Sequence, residues 1–134
     1  MSLRSLSAAI ARSLLILTIM TNAATAETIA IIGTGDVGAA LGPEFAAQGH
    51  TIIYGSRQPN RGKVELLVRK TGEDASAALP GEAASAADIV VLAVPGLLVE
   101  EITRGLGNLS GKIIIDPTNP LERTLATFTH AVDT

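Results

Sequence analysis

An apolar strand that runs straight into a Gly-x-Gly-x-x-Gly turn leaves few folds open to this chain. Residues Glu27-Thr28-Ile29-Ala30-Ile31-Ile32 are largely β-branched, with no interior polar residue beyond Thr28, which is how a strand buried on both faces reads. Gly33-Thr34-Gly35-Asp36-Val37-Gly38 follows at once. Small and apolar residues from Asp36 to Gln48 then predict a helix, stopped by Gly49. Thirteen glycines in 134 residues would produce the glycine spacing by chance about 0.1 times, so the spacing alone says little. Its position between strand and helix says more. There the first glycine allows a tight turn, the second lets a pyrophosphate approach the backbone, and the third lets helix and strand pack closely. The helix N-terminus adds unpaired N–H groups that favour phosphate. Gly33, Thr34, Gly35, Asp36, Val37 and Gly38 are therefore the first candidate dinucleotide-binding residues. Pro43 is a contrary signal inside the helix, expected to kink or shorten it.

The rest of the chain alternates strands and helices. A strand is predicted at Thr51 to Tyr54, a polar helix near Asn60 to Lys70, a short strand at Ala75 to Ala78 and a short helix from Glu82 to Ala87. Asp88 to Val94 carries the clearest buried strand, Ile-Val-Val-Leu-Ala-Val, and stops at Pro95-Gly96. A helix follows from Leu97 to Leu106, then a fifth strand from Lys112 to Asp116. Strands separated by helices of about ten residues mean parallel βαβ units. The predicted fold class is α/β, a Rossmann-like doubly wound parallel sheet that is truncated after the fifth strand.

Charge refines the ligand. An NAD site usually places Asp or Glu at the end of the second strand, on the ribose 2′-hydroxyl; here the residues are Gly55-Ser56-Arg57. An acidic side chain would repel a 2′-phosphate, whereas a hydroxyl and a guanidinium bind one. NADP(H) is thus favoured over NAD, with Ser56, Arg57 and Arg61 as candidates. Arg57, Arg61, Lys63, Arg69 and Lys70 crowd into a short segment of a chain whose net charge is −3; Arg69 and Lys70 read as a solvated helix face. Other chemistry finds little support. The chain has no Cys and no Trp, which excludes a disulfide framework and thiolate metal sites. His50 and His130 stand alone and read as surface or structural residues, Glu100-Glu101 as an exposed helix face, and no metal site is expected. No Gly-x-Ser-x-Gly elbow is present. With 17% charged residues the composition fits neither a disordered polyelectrolyte nor a basic nucleic-acid binder.

The first 26 residues read differently. Arg4 and Arg12 precede the uncharged run Leu14 to Met20, and the segment closes on Ala24-Thr25-Ala26. This is the pattern of a secretory signal peptide, placing the mature domain at residues 27–134 in a periplasmic or secreted location. Two alternatives stay open: an uncleaved membrane anchor, and translation from Met20, which would give a cytoplasmic protein.

Four segments in order, Ile-Ala-Ile-Ile-Gly-Thr-Gly-Asp-Val-Gly, Gly55-Ser56-Arg57, Ala93-Val94-Pro95 and Asp116-Pro117-Thr118-Asn119-Pro120-Leu121, resemble the NADP-binding domain of coenzyme F420-dependent NADP reductases. The resemblance covers roughly residues 28 to 121. It implies that Thr34, Asp36 and Val37 line the dinucleotide turn and that Ser56, Arg57 and Arg61 hold the 2′-phosphate. It also implies that Ala93, Val94 and Pro95 pass beneath the nicotinamide-side ribose and that Asn119 lies near the nicotinamide. The implied activity is hydride transfer between NADP(H) and a deazaflavin or flavin-like acceptor, with F420 or flavin as co-substrate. Only residues 117 to 134 follow the fifth strand, so the acceptor pocket is expected to be incomplete. The alternative is then a non-catalytic NADP-binding module or fragment that needs another chain. The expected partner is a small-molecule dinucleotide, with no nucleic acid; a homodimer is left open.

Overall fold

The computed structural model describes residues 24–119 in full and, beyond them, the backbone of two short strands, 121–123 and 128–130. The segment 1–23, which carries most of the signal-peptide reading, lies outside the described residues, as does Pro120. Five strands, β1 (Thr28–Ile32), β2 (Thr51–Gly55), β3 (Ala75–Ala78), β4 (Ile89–Leu92) and β5 (Ile113–Ile115), form one sheet in the order β3-β2-β1-β4-β5. Every pairing in it is parallel. The helices are α1 (Asp36–Ala47), α2 (Gly62–Thr71), α3 (Pro80–Ala86) and α4 (Val99–Arg104), the last entered through a 3₁₀ turn at Gly96–Leu98. Strands β6 (Leu121–Arg123) and β7 (Phe128–His130) form a separate antiparallel pair, for which the sequence offered no signal.

Side chains alternate across a strand, and this alternation divides the core into two layers. Ile29 and Ile31 of β1, Ile52 and Tyr54 of β2 and Val91 of β4 face α1 and α2, where Leu41, Phe45, Leu67 and Val68 cover them. Ala30 and Ile32 of β1 with Val90 and Leu92 of β4 face the other way, onto Ala83, Ala84 and Ala87, with Leu106 closing that cluster. The sheet is therefore covered on both faces around β1, β2 and β4, the doubly wound arrangement expected from the strand pattern. Strand order reverses between β1 and β4, and all five C-terminal strand ends lie along one side. β5 departs from the pattern. It is three residues long and its isoleucines are 61%, 41% and 38% exposed.

Pro43 does not shorten α1, which runs unbroken through it. The helix forfeits a main-chain bond there, but Leu41 before the proline and Phe45 and Ala46 after it pack on the same apolar cluster. Burial of both halves holds the segment helical. Local bonds fix the other ends: Pro80 opens α3, with the Glu82 carboxylate accepting the Leu79 N–H at 3.3 Å, and Lys112 donates to the carbonyls of Ala87 (2.6 Å) and Ser85 (3.3 Å) just beyond it.

Tyr54, the chain's one tyrosine, is fully buried. Its hydroxyl lies 2.7 Å from Thr71 Oγ1. The Thr71 proton is spent on the Leu67 carbonyl at 2.8 Å, so Tyr54 is the donor to Thr71. Burial raises the phenol above the usual tyrosine range, and the Thr71 bond offsets only part of that. A group whose folded pKa is raised favours the folded state below its unfolded pKa and loses that contribution as pH rises through the folded value. Stability is therefore expected to fall as pH rises above about 10. Tyr54→Phe should cost about 1 kcal/mol at neutral pH and flatten the alkaline fall; urea unfolding of both proteins across that pH range checks it.

Candidate functional site

The Gly-rich turn lies at the C-terminal end of β1, beside the point where the strand order reverses. Its three glycines have different surroundings. Gly33 has φ +109°, a left-handed conformation that side chains disfavour, and a Cβ on it would overlap the carbonyl oxygen of Ala93. A Cβ on Gly38 would overlap the carbonyl oxygen of Gly33 and press on Ile31. These two glycines let the turn, α1 and the segment after β4 meet. A Cβ on Gly35 would meet nothing within 4 Å. Its freedom from neighbours marks open space in front of the turn.

That space faces the start of α1. The first main-chain bond there runs from Ala39 N–H to Gly35 O at 2.9 Å, and no side chain caps the helix. The amides of Asp36, Val37 and Gly38 therefore have no partner within the helix, and a helix N-terminus with free N–H groups suits an anion. Thr34 is half-buried beside them, and Asp36 and Val37 are exposed.

The loop after β2 lies next to the turn, because Gly33 N–H donates to the Gly55 carbonyl at 3.0 Å. Ser56 N–H donates to the Ala78 carbonyl at 2.9 Å, tying the loop to the end of β3. The Ser56 hydroxyl accepts the Gln58 N–H at 3.1 Å, which leaves its own proton to donate. Arg57 and Arg61 are both exposed. Among the described residues neither makes an ion pair, whereas Arg69 pairs with Glu65 at 3.7 Å and Arg104 with Glu100. The solvated-face reading thus holds for Arg69 and for Glu100 and Glu101. Lys70, also exposed, has a second feature: with Lys63 it lines a groove of about 180 Å³ shared with Thr34, Ala39, Leu66 and Leu67. Lys63 and Lys70 lie one and a half to two helical turns apart on α2, a spacing that could have flagged a common face.

Of the remaining sequence candidates, Ala93 and Val94 abut Gly33 through a carbonyl and a side-chain methyl, and exposed Pro95 opens the 3₁₀ turn. Asn119 is exposed four residues beyond β5, on the same side of the sheet. The structure thus joins the Gly33–Gly38 turn, the Ser56–Arg61 loop and Ala93–Val94 through direct contacts, with Asn119 two strands away from β1. His50 is structural: its Nδ1 accepts the Glu27 N–H at 3.1 Å, and its ring stands edge-on to Phe45. His130 falls on β7, whose side chains lie outside the described residues. Among the described residues, no group of three or more His, Cys, Asp or Glu could hold a metal ion.

The glycine geometry predicts a contrast. Gly38→Ala should lower unfolding stability by about 1–3 kcal/mol, the scale of overpacking against backbone, while Gly35→Ala should lower it by less than about 1 kcal/mol, the scale of a changed helix N-cap. Urea denaturation of the two variants measures the difference.

Residues 28–120 match the family described as NADP oxidoreductase coenzyme F420-dependent. The F420-dependent NADP reductase of Methanothermobacter thermautotrophicus is 34% identical over 102 residues, covering 70% of this chain and 44% of the reductase. The metalloreductase STEAP3 of Rattus norvegicus is 28% identical over 100 residues, 73% of this chain and 19% of that protein. Among solved structures, a chain from Arthrobacter sp. FB24 assigned as an F420-dependent NADP reductase superposes with a TM-score of 0.69 at 27% identity, over 78% of this chain and 51% of that one. An imine reductase from Aspergillus terreus, solved with NADPH4, gives 0.57 at 28% identity over 71% and 33%. The chain therefore spans about half or less of the length of these relatives. Sequence and fold agree that it belongs to the coenzyme F420-dependent NADP oxidoreductase family.

Proposed function

We propose that this domain binds NADP(H) across the Gly33–Gly38 turn and serves hydride transfer with a deazaflavin or flavin-like acceptor. The observation that carries the reading is the open face at Gly35, where a helix N-terminus with amides unpartnered within the helix lies next to a loop whose two arginines make no ion pair among the described residues. In this reading the amides of Asp36, Val37 and Gly38 receive the pyrophosphate, and Thr34 borders it. Ser56 donates its free hydroxyl proton to the 2′-phosphate, while Arg57 and Arg61 supply charge-assisted bonds. Ala93, Val94 and Pro95 support the ribose on the nicotinamide side, and Asn119 lies toward the ring. When bound, NADP(H) supplies the carbon that gives or takes hydride; the protein supplies position and charge. Relatives solved with an NADPH-type ligand support the cofactor, and the reductase similarity supports F420.

A second reading, a dinucleotide-binding module that acts only with further polypeptide, is favoured by one fact: the chain spans 44% of the reductase it resembles. Calorimetric titration of the full chain should give micromolar NADPH affinity and clear discrimination against NADH. Arg57→Ala should weaken NADPH by about 1.5–3 kcal/mol and leave NADH nearly unchanged. Equal losses for both cofactors would remove Arg57 from the 2′-phosphate. NADPH oxidation on adding F420 or FMN carries the first reading; binding without oxidation carries the second.

We also propose that the chain is processed after Ala26 and exported. Supporting this, Ala24, Thr25 and Ala26 are exposed, whereas Glu27 is the first of the described residues tied into the fold, its N–H to His50 and its carbonyl to Thr51 N–H at 3.0 Å. No described helix is long and apolar enough to cross a membrane. Mass spectrometry of the native N-terminus should find Glu27; a start at or just after Met20 would refute export.

A further inference from the structure

On the reading of the Gly33–Gly38 turn as the NADP(H) site, on which this rests, we propose that Lys63 supplies a third cation to the 2′-phosphate, beside Arg57 and Arg61, with Thr34 next to it. Lys63 is then a determinant of cofactor choice that comes from a helix and not from the loop after β2.

Helix α2 sorts the charged residues of its segment onto two faces. Glu65, Val68 and Arg69 line a hollow with Pro59, Asn60 and Ala77, and there Arg69 pairs with Glu65 at 3.7 Å. Lys63, Leu66, Leu67 and Lys70 fall at the i, i+3, i+4, i+7 spacing of the opposite stripe and line the groove shared with Thr34 and Ala39. Glu65 is the one carboxylate of the helix, and it is turned away from Lys63. None of the six groove residues is acidic.

The two lysines are not equivalent. A helix that joins parallel strands runs back against them, so α2 begins at the C-terminal ends of β1 and β2, level with the Gly-rich turn. Lys63 is the second residue of α2. Lys70, seven residues on, stands about 10 Å further along the axis. Helical side chains lean toward the helix N-terminus, which carries the Lys63 ammonium toward the turn and leaves the Lys70 stem over Leu66 and Leu67, one turn before it.

Position also selects the 2′-phosphate over the pyrophosphate. The amides that suit the pyrophosphate belong to Asp36, Val37 and Gly38, beyond Gly35. Thr34 precedes Gly35, and the adjoining Gly33 N–H is held by the Gly55 carbonyl at 3.0 Å. The Thr34 end of the groove therefore lies on the β2 side of the turn, where the Ser56–Arg61 loop begins. α2 starts directly from that loop, with Arg61 as its N-cap, two residues before Lys63. A phosphomonoester is close to doubly charged at neutral pH and offers three acceptor oxygens, enough for two guanidinium groups and an ammonium. NADH has a hydroxyl at that place, to which a third cation adds little.

Calorimetric titration of the full chain and its variants with NADPH and NADH, at low and high salt, tests this. Lys63→Gln should weaken NADPH about tenfold, the lower end for a bond to a charged group because Lys63 is exposed. The same variant should change NADH by less than about twofold and make NADPH binding less sensitive to salt. Lys63→Arg should keep most of the NADPH affinity, and Lys70→Gln should hold it within about twofold, since a charge about 10 Å away is screened. Circular dichroism checks that each variant folds; should Lys63→Gln fail, Lys63→Met removes the same charge and keeps the stem. Equal losses for both cofactors would put Lys63 on the pyrophosphate, and an unchanged NADPH affinity would leave it a solvated side chain; either overturns the proposal while the NADP(H) reading stands. A loss on Lys70→Gln as large as that on Lys63→Gln would reveal a general field and not a contact, and overturns it too. A wild-type chain that binds NADPH no better than NADH fails the underlying reading, and the proposal falls with it.

Discussion

Helix α1 lies so close to the sheet that at two of its points of contact, Gly38 and Gly42, no Cβ fits, and the rest of the site depends on that approach. Gly38 meets the Gly33 carbonyl, and a Cβ on Gly42, one turn further along, would overlap the Tyr54 hydroxyl. The helix is thus fixed at two levels, at the turn by backbone and deeper in by a buried phenol. Tyr54 in turn donates to Thr71 at the end of α2, so one contact chain runs from the Gly-rich turn through α1 and β2 to the helix that carries Lys63 and Lys70. Loosening it would lose some stability and would also re-aim the amides at the start of α1. This is how a binding surface made of main-chain groups is held in place with few polar side chains: its geometry is set by the packing behind it.

The distribution of charge follows a comparable economy. Among the described residues, the lysine and the arginine outside the 57–70 segment each have a structural use: Lys112 satisfies two carbonyls past α3, and Arg104 pairs with Glu100. Within the segment, Arg69 is paired with Glu65 while Arg57 and Arg61 have no ion-pair partner among the described residues. Exposed ion pairs of this kind contribute little to folding, and unpaired arginines on a loop contribute less. Their placement on the segment after β2, next to the Gly-rich turn, is better understood through what the surface attracts. It creates a positive field at one end of an acidic chain, the condition for drawing in a multiply charged anion.

How much of this could be read from the sequence depends on whether local pattern or tertiary packing decides a feature. The five strands and their parallel order were legible because β-branched runs such as Ile89 to Leu92 admit few alternatives, and β3, a mere Ala-Ser-Ala-Ala, was legible because βαβ alternation demands a strand there. The three motif glycines were legible as a set, but their separate duties needed coordinates, since only space distinguishes Gly35 from Gly38. Pro43 misled, because helix propensity is local and the burial of Phe45 and Ala46 is not. The groove that joins Lys63 and Lys70 to Thr34 was illegible for the same reason: it lies between two helices distant in sequence. Asn119 could be carried over by resemblance, but β5 and the chain after it set its surroundings, and there apolar pattern gives way to loop.

The two edges of the sheet show what pattern alone leaves out. At one edge β3 offers small residues, with Ser76 exposed and α2 packed alongside, a strand with little to attract another. At the other, β5 offers three isoleucines between a lysine and an aspartate. Both read simply as strands, and period alone cannot tell an inner strand from an edge. The difference appears once the topology puts both at the margins. A parallel sheet is ordinarily buried on both faces, and the β3 side meets that condition with small side chains and a helix. Among the described residues the β5 side does not meet it: its three isoleucines stay partly exposed, because no described helix lies over that end of the sheet as α2 lies over β3.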